Sequence, residues 1–166
     1  MVWVAAVRFV SNDYPTLDPA LVLAVAAKES NCDPNGTDTF SDSTGLMQVN
    51  PRGLGLSKGE LLDPLRNIQW GMRILTVTLN DETHNPTHDL RTALAAYNCG
   101  WASLEAGRCY SFGGFTYADA ILEEWLPVME AELGRYVCDP PEALGKWHVR
   151  EDVLSWLETW GYKPPC

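Results

Sequence analysis

The amino-acid sequence predicts a mostly α-helical single domain. Two Asp-Pro pairs, Asp18-Pro19 and Asp63-Pro64, place a capping carboxylate before a proline at the first helical position. Apolar residues recur at helical spacing, and no alternation of period two extends beyond a few residues. The 166 residues, of which 46% are hydrophobic, are enough for one core.

Local signals divide the first third of the chain. Asp18 caps a helix that we expect to reach about Ser30. Residues 33–44, rich in Asp, Ser, Thr and Gly, are predicted to form a loop. A short helix is expected to begin near Thr44 and to end before Pro51.

The remaining helices follow from the same signals. Residues 100–116 include Gly107, Gly113 and Gly114 and are expected to form a mobile loop. Residues 1–137 are predicted to form the domain, and residues 138–166 a C-terminal helical appendage packed on it. The predicted helices run from Pro64 to about Asn80, from Asp89 to Gly100, from Tyr117 to about Tyr136 with a kink at Pro127, and from Glu151 to Trp160.

Charge and hydropathy exclude several classes of function. The formal net charge is -10, with 12 Lys+Arg against 22 Asp+Glu, whereas a nucleic-acid binder needs a basic face. No apolar run approaches a membrane span, and Met1–Val10 lacks the basic start and cleavage site of a signal peptide. A glycan substrate would be held by hydrogen bonds and by stacking on some of the seven Trp and six Tyr.

The five cysteines do not form a metal-binding pattern. No two have CxxC spacing, and with only three His the sequence predicts neither a metal site nor a cofactor. A Cys99–Cys109 disulfide would close a short loop, and a Cys138–Cys166 disulfide would tie back the C-terminal tail. Free buried thiols in a reducing compartment are an equally open interpretation.

Glu29 is the first candidate for chemistry. It continues the apolar stripe of Val22, Val25 and Ala26 near the C-terminal end of the first predicted helix. Desolvation and the negative end of the helix dipole both favour the protonated carboxyl, which can donate a proton to a glycosidic oxygen. An ordinary solvated glutamate is the alternative, and the helix alone favours it.

Further motifs follow Glu29-Ser30 in a fixed order: Gly45-Leu46-Met47-Gln48, Ala95-Ala96-Tyr97-Asn98-Cys99-Gly100 and Tyr117-Ala118-Asp119-Ala120-Ile121. This set resembles the soluble lytic transglycosylase and goose-type lysozyme families over roughly residues 17–125. Asp63–Ile68 with Gly71 is similar to their middle helix. The resemblance implies a lysozyme-like α-helical fold with a cleft for a β-1,4-linked N-acetylmuramic acid and N-acetylglucosamine strand.

The resemblance also implies roles for individual residues. Glu29 matches the catalytic acid and base, and Tyr97 and Tyr117 match tyrosines whose hydroxyls orient it. Gln48 and Asn98 match groups that hydrogen-bond the glycan. The complete set of expected substrate-binding residues is Ser30, Met47, Gln48, Asn50, Tyr97, Asn98 and Tyr117.

Some positions depart from the family pattern. Cys99 stands where the family usually has Ala, and neither Ser41 nor Ser43 aligns uniquely with the loop serines. Goose-type lysozymes tend to carry an aspartate at the position of Asn50, and an Asn cannot act as a base. This departure favours transglycosylation over hydrolysis, and Asp42 is the candidate second carboxylate for a hydrolase.

The sequence therefore predicts a monomeric lytic transglycosylase that acts on peptidoglycan glycan strands and leaves 1,6-anhydro-muramic ends. A lysozyme-type hydrolase is the first alternative, and a non-catalytic peptidoglycan-binding module is the second. The expected place of action is the cell wall, in the periplasm, outside the cell or in association with a phage.

Overall fold

The computed structural model describes residues 3–135, which are mostly helical. The predicted fold class is confirmed: this part of the chain contains no named strand, only the isolated bridges Thr37–Thr44 and Thr44–Val49. Its helices are α1 (Val4–Ser11), α2 (Pro19–Ser30), α3 (Lys58–Leu61), α4 (Pro64–Leu79), α5 (Leu90–Cys99), α6 (Trp101–Glu105), α7 (Phe115–Ala120), a π-helical turn (Ile121–Trp125) and α8 (Leu126–Arg135).

Helix α2 is the central helix of the core. All residues from Ala20 to Ala27 are buried, because α1, the π-helical turn and α8 pack around it. A helix that is apolar on all sides is typical of such a position. The Asp18 carboxylate accepts a hydrogen bond from the Ala20 amide at 2.8 Å, and Pro19 stands in the first turn, as the sequence predicts.

Two left-handed residues end α2. Asn31 (φ 53°) and Cys32 (φ 60°) turn the chain, and their amides donate to the carbonyls of Ala27 and Ala26 at 2.9 and 3.2 Å. Because the helix ends here, Glu29 and Ser30 lie in its last turn, at the edge of the core.

The short helix predicted between Thr44 and Pro51 is wrong. Residues 45–48 form a turn instead, and Thr44 and Val49 exchange two backbone hydrogen bonds of 3.1 Å on either side of it. Gly45 (φ 78°) and Gln48 (φ 46°) adopt left-handed conformations that a right-handed helix excludes.

Asn67, a fully buried residue of α4, holds this turn in place. Its side-chain oxygen accepts from the Met47 amide at 2.8 Å. Its side-chain nitrogen donates to the carbonyls of Thr44 and Leu61 at 2.7 and 2.9 Å. A Cβ at Gly45 would lie 2.3 Å from that nitrogen, so the close approach requires glycine.

Three short helices were not predicted. Helix α1 contributes Ala6, Val7 and Val10 to the core, where it packs on α2 and α4. A reciprocal capping box between Ser57 and Glu60 begins α3. Helix α6 lies within the segment that we expected to be a loop throughout, so that prediction is wrong for Trp101–Glu105.

The helix predicted from Tyr117 begins two residues earlier, at Phe115, and contains a π-helical turn just before Pro127. The Leu126 amide donates to the Ile121 carbonyl, five residues back. Proline has no amide hydrogen and its ring crowds the carbonyl four residues before it, so the widened turn accommodates Pro127 without ending the helix. The predicted appendage at 138–166, with its helix Glu151–Trp160, lies outside the described residues.

Replacing Asn67 with alanine is expected to lower the free energy of unfolding by about 3 kcal/mol, because it leaves buried amide and carbonyl groups unpaired. Urea denaturation measures this change. The matched control is Asn80→Ala at the exposed end of α4, where one hydrogen bond to the Thr76 carbonyl is lost and a change of less than about 1 kcal/mol is expected. Equal effects of the two substitutions would contradict the assigned role of Asn67.

Candidate active site

Glu29 and Tyr117 form the centre of the candidate site. The hydroxyl of Tyr117, a buried residue of α7, donates to Glu29 Oε1 at 2.5 Å across 88 residues of sequence. The Glu29 side chain keeps partial access to solvent, yet burial raises its pKa from 4.5 to about 7. The hydrogen bond from Tyr117 and the charge of Lys28 lower the pKa without offsetting the burial. Glu29 can therefore hold a proton near neutral pH.

Tyr97 is the second phenol near Glu29. Its hydroxyl donates to the Met47 carbonyl at 2.7 Å, which joins α5 to the turn at residues 45–48. Burial, and then the charge of Glu29, raise the pKa of both Tyr97 and Tyr117 well above the ordinary value. Both phenols therefore remain protonated hydrogen-bond donors.

The turn at residues 45–48 packs against α4. The Met47 side chain is fully buried on Gly71, where a Cβ would come within 2.4 Å of the Met47 sulfur. A buried side chain presents no surface to a glycan, so Met47 supports the site by packing and through its carbonyl. Ser30 Oγ lies 2.8 Å from the Leu46 carbonyl, and this contact joins the end of α2 to the same turn.

In the side-chain amides of Gln48 and Asn98, one of the two polar atoms forms hydrogen bonds within residues 3–135. Gln48 Nε2 donates to the carbonyls of Gly36 and Gly45 at 3.0 and 2.9 Å. Asn98 lies exposed at the end of α5, and its Oδ1 accepts from the Gly114 amide at 3.0 Å. Within residues 3–135, no hydrogen bond engages Gln48 Oε1 or Asn98 Nδ2, which leaves one acceptor and one donor for a ligand.

The side chains of Asn50 and Asp42, in the loop beside the turn, form hydrogen bonds and ion pairs with neighbouring residues. Asn50 donates to the Ser41 carbonyl at 2.6 Å and accepts from the Arg52 amide at 2.9 Å. Asp42 forms ion pairs with Arg52 at 2.7 Å and with Lys58 at 2.5 Å. Hydrogen bonds from Lys58 and Arg52 lower the pKa of Asp42, which makes it a weak base.

The sequence-predicted residues thus fall into four groups. Hydrogen bonds join Glu29 to Tyr117 and Tyr97 to Met47, and the charge of Glu29 acts on both tyrosines. Ser30 and Gln48 reach this centre through the backbone of residues 36–46, Asn98 lies on the side of α7, and Asn50 and Asp42 belong to the loop.

Sequence reasoning included Asn67 and Gly71 in the middle-helix motif but missed their supporting role. They are four residues apart and therefore share one face of α4, where they hold the turn at residues 45–48. A lone Asn among the apolar positions of a helix is the signal that could have identified it. The Cys99–Cys109 pairing, one of the open alternatives, forms in the structure with a Cα–Cα distance of 5.8 Å. Among the cysteines of residues 3–135, Cys32 forms no disulfide.

The described part of the chain contains neither a metal-binding cluster nor a membrane-spanning helix. Across residues 3–135, no group of three or more His, Cys, Asp or Glu side chains is placed to hold a metal ion. The helices in the same range are too short or too polar to span a bilayer.

These features define a lysozyme-like helical domain with one proton-holding carboxyl group at the edge of its core. A comparison with known protein families matches residues 9–109 to the transglycosylase SLT domain. The match spans more than half of the chain, which therefore belongs to the SLT transglycosylase family, as the ordered motifs predict. Members of this family generally act on cell-wall peptidoglycan as lytic transglycosylases. No curated protein matches the chain.

Glu29→Gln is expected to stabilise the folded protein at pH 8. Because the folded-state pKa lies above 4.5, the unfolded chain releases the proton first, and the wild type loses stability as pH rises from about 4.5 to about 7. A neutral amide avoids this loss, so we expect the variant to be about 2–3 kcal/mol more stable than wild type at pH 8. Near pH 4, the two proteins should be nearly equal. Urea unfolding at both pH values measures the difference.

Asp42→Asn is a control for which the expected change in stability at pH 8 has the opposite sign. The pKa of Asp42 is lowered in the folded state, so its contribution to stability is present at neutral pH and is lost as pH falls. The variant should therefore be less stable than wild type at pH 8 and equal to it in acid. A Glu29→Gln effect that does not change with pH would contradict the raised pKa.

Proposed function

We propose that this protein is a lytic transglycosylase that cleaves the bond between N-acetylmuramic acid and N-acetylglucosamine in peptidoglycan, with Glu29 as its single acid and base. The observation that carries the proposal is a carboxyl with a pKa of about 7, hydrogen-bonded to Tyr117, in an SLT transglycosylase domain. At neutral pH, this carboxyl is present in both protonation states, and each state serves one step of the reaction.

In the first step, protonated Glu29 gives its proton to the glycosidic oxygen. The bond from that oxygen to the muramic anomeric carbon breaks, and the glucosamine leaves as an alcohol. Positive charge develops on the anomeric carbon, where the acetamido oxygen of the same sugar can stabilise it. The Tyr117 hydroxyl then stabilises the Glu29 carboxylate through the 2.5 Å hydrogen bond.

In the second step, the Glu29 carboxylate takes the proton of the muramic C6 hydroxyl. The C6 oxygen bonds to the anomeric carbon, which closes the 1,6-anhydro ring and restores protonated Glu29. Water is neither consumed nor released. Gln48 Oε1 and Asn98 Nδ2 are the groups proposed to hold the strand, because the structure leaves them available to a ligand.

A hydrolase would need a second carboxylate to activate water, at ~6.5–9.5 Å from the first in an inverting enzyme. The candidate Asp42 is held by Arg52 and Lys58, which lower its pKa. Asn50 has both ends of its amide engaged and cannot act as a base. These observations favour transglycosylation. The raised pKa of Glu29 favours an enzyme over a binding module, which has no use for a proton donor.

The place of action is part of the proposal. We propose a monomer that meets the wall in the periplasm, outside the cell or during phage infection. With a net charge of -10, the protein has no general electrostatic attraction for an anionic wall polymer. Hydrogen bonds and stacking must therefore supply the affinity for the glycan.

Glu29→Gln is expected to reduce cleavage of purified peptidoglycan by about 10³-fold, because an amide cannot donate the proton. Mass spectrometry of the wild-type products should find anhydro-muropeptides. Glu130→Gln, on the exposed face of α8, is the matched control and should keep full activity. Asp42→Asn should retain activity within about threefold, since the mechanism does not use Asp42. Reducing ends in place of anhydro ends would make the protein a hydrolase.

The rate should fall as pH rises through about 7, because the reactive form of Glu29 is the protonated one. Tyr117→Phe removes a hydrogen bond that lowers the pKa of Glu29, so this descending limb should move to higher pH. The variant should also lose about tenfold in kcat, because the carboxyl is no longer oriented. Profiles of kcat against pH for both proteins measure these effects. An unchanged descending limb in Tyr117→Phe would show that Glu29 does not control the reaction.

A further inference from the structure

Two aromatic side chains near the end of the segment between α6 and α7 are almost fully exposed. Tyr110 is 77% and Phe112 is 84% exposed, although most other large apolar side chains of residues 3–135 lie in or against one core. Two exposed aromatic rings that are two residues apart in sequence gain little from packing and are typical of a binding surface. We call Tyr110 and Phe112 the aromatic shelf.

The backbone that carries the aromatic shelf is fixed at several points. The Cys99–Cys109 disulfide ties its start to the end of α5. The Arg108 amide donates to the Ser103 carbonyl, and the Gly113 amide to the Tyr110 carbonyl, both at 2.8 Å. Rings on a fixed backbone lose little conformational entropy when a ligand binds.

The aromatic shelf adjoins the site of Glu29. A Cβ at Gly113 would lie 2.7 Å from Asn98 Oδ1, so the shelf backbone packs directly against Asn98. Gly114 is hydrogen-bonded to the same oxygen and leads into α7, which carries Tyr117 one turn later. The shelf is therefore continuous with the Asn98 side of the site.

We infer that the aromatic shelf is a carbohydrate subsite on which successive N-acetylhexosamine units of the glycan strand stack. The inference rests on the proposed function. It concerns how the site binds those sugar units of the strand that lie away from the cleaved bond. The apolar face of a pyranose ring matches the face of an aromatic ring, and neither ring of the shelf carries a charge that would select an ionic ligand. Because the protein has a net charge of -10, it cannot rely on a cationic surface for affinity, and stacking requires none.

The experiment measures binding in the Glu29→Gln background, where the strand is not cleaved. The ligand is glycan strands stripped of their stem peptides, and calorimetry gives the Kd. Tyr110→Ala and Phe112→Ala should each weaken binding about fivefold. Phe112→Trp and Tyr110→Phe keep a ring and should bind like the parent. Val77→Ala removes an exposed apolar side chain from α4 and is the matched control, with no change expected.

Three outcomes would overturn the subsite. The first is that a variant carrying both Tyr110→Ala and Phe112→Ala binds the glycan with the same affinity as its parent. The second is weakening that the ring-preserving variants share, which would indicate a disturbed loop. The third is weakening on intact peptidoglycan but not on stripped glycan, which would assign the rings to the stem peptide. The proposed reaction is judged separately by the products of the wild-type protein, so a failure of the subsite can be distinguished from a failure of the reaction.

Discussion

The contact between Tyr117 and Glu29 depends on how completely α2 is enclosed. Because the residues from Ala20 to Ala27 are buried on every side, the last turn of the helix carries Glu29 to the boundary between core and solvent. The left-handed pair Asn31 and Cys32 ends the helix just after Glu29 and Ser30. Exposure of this end of α2 to water would remove the burial that raises the pKa of Glu29.

The second constraint is the turn at residues 45–48, which brings three segments to that boundary. Its carbonyls receive the Tyr97 and Ser30 hydroxyls, and its amide at Met47 is held by Asn67. All of these contacts are made within the protein. They fix the backbone on which Gln48 stands, and the buried polar groups of the turn are satisfied only when α2, α4 and α5 are all in place.

The helices that were predicted correctly from the sequence are those whose starts are determined by residues only a few positions away. Asp18, Asp63 and Asp89 each cap the helix that follows them, and these starts depend on nothing distant. The turn after Thr44 was mistaken for a helix because its conformation depends on Asn67, which is 20 or more residues away. Glu29 could be chosen from its helical stripe, but Tyr117 could not be paired with it from local pattern, since 88 residues separate them. That pairing came only from the order of the family motifs.

In the mechanism that we propose, Glu29 acts first as acid and then as base, and such a carboxyl is best placed when neither protonation state dominates. Burial alone would hold Glu29 protonated and would make the second proton transfer difficult. The Tyr117 hydroxyl and the charge of Lys28 both stabilise the carboxylate, and together they bring the pKa back to about 7. The high pKa of Tyr117 keeps its own proton in place, so the phenol tunes Glu29 without competing for the proton that the reaction moves. The same balance leaves the folded protein less stable in base than a neutral side chain would, which is the usual relation between a functional carboxyl and the stability of its fold.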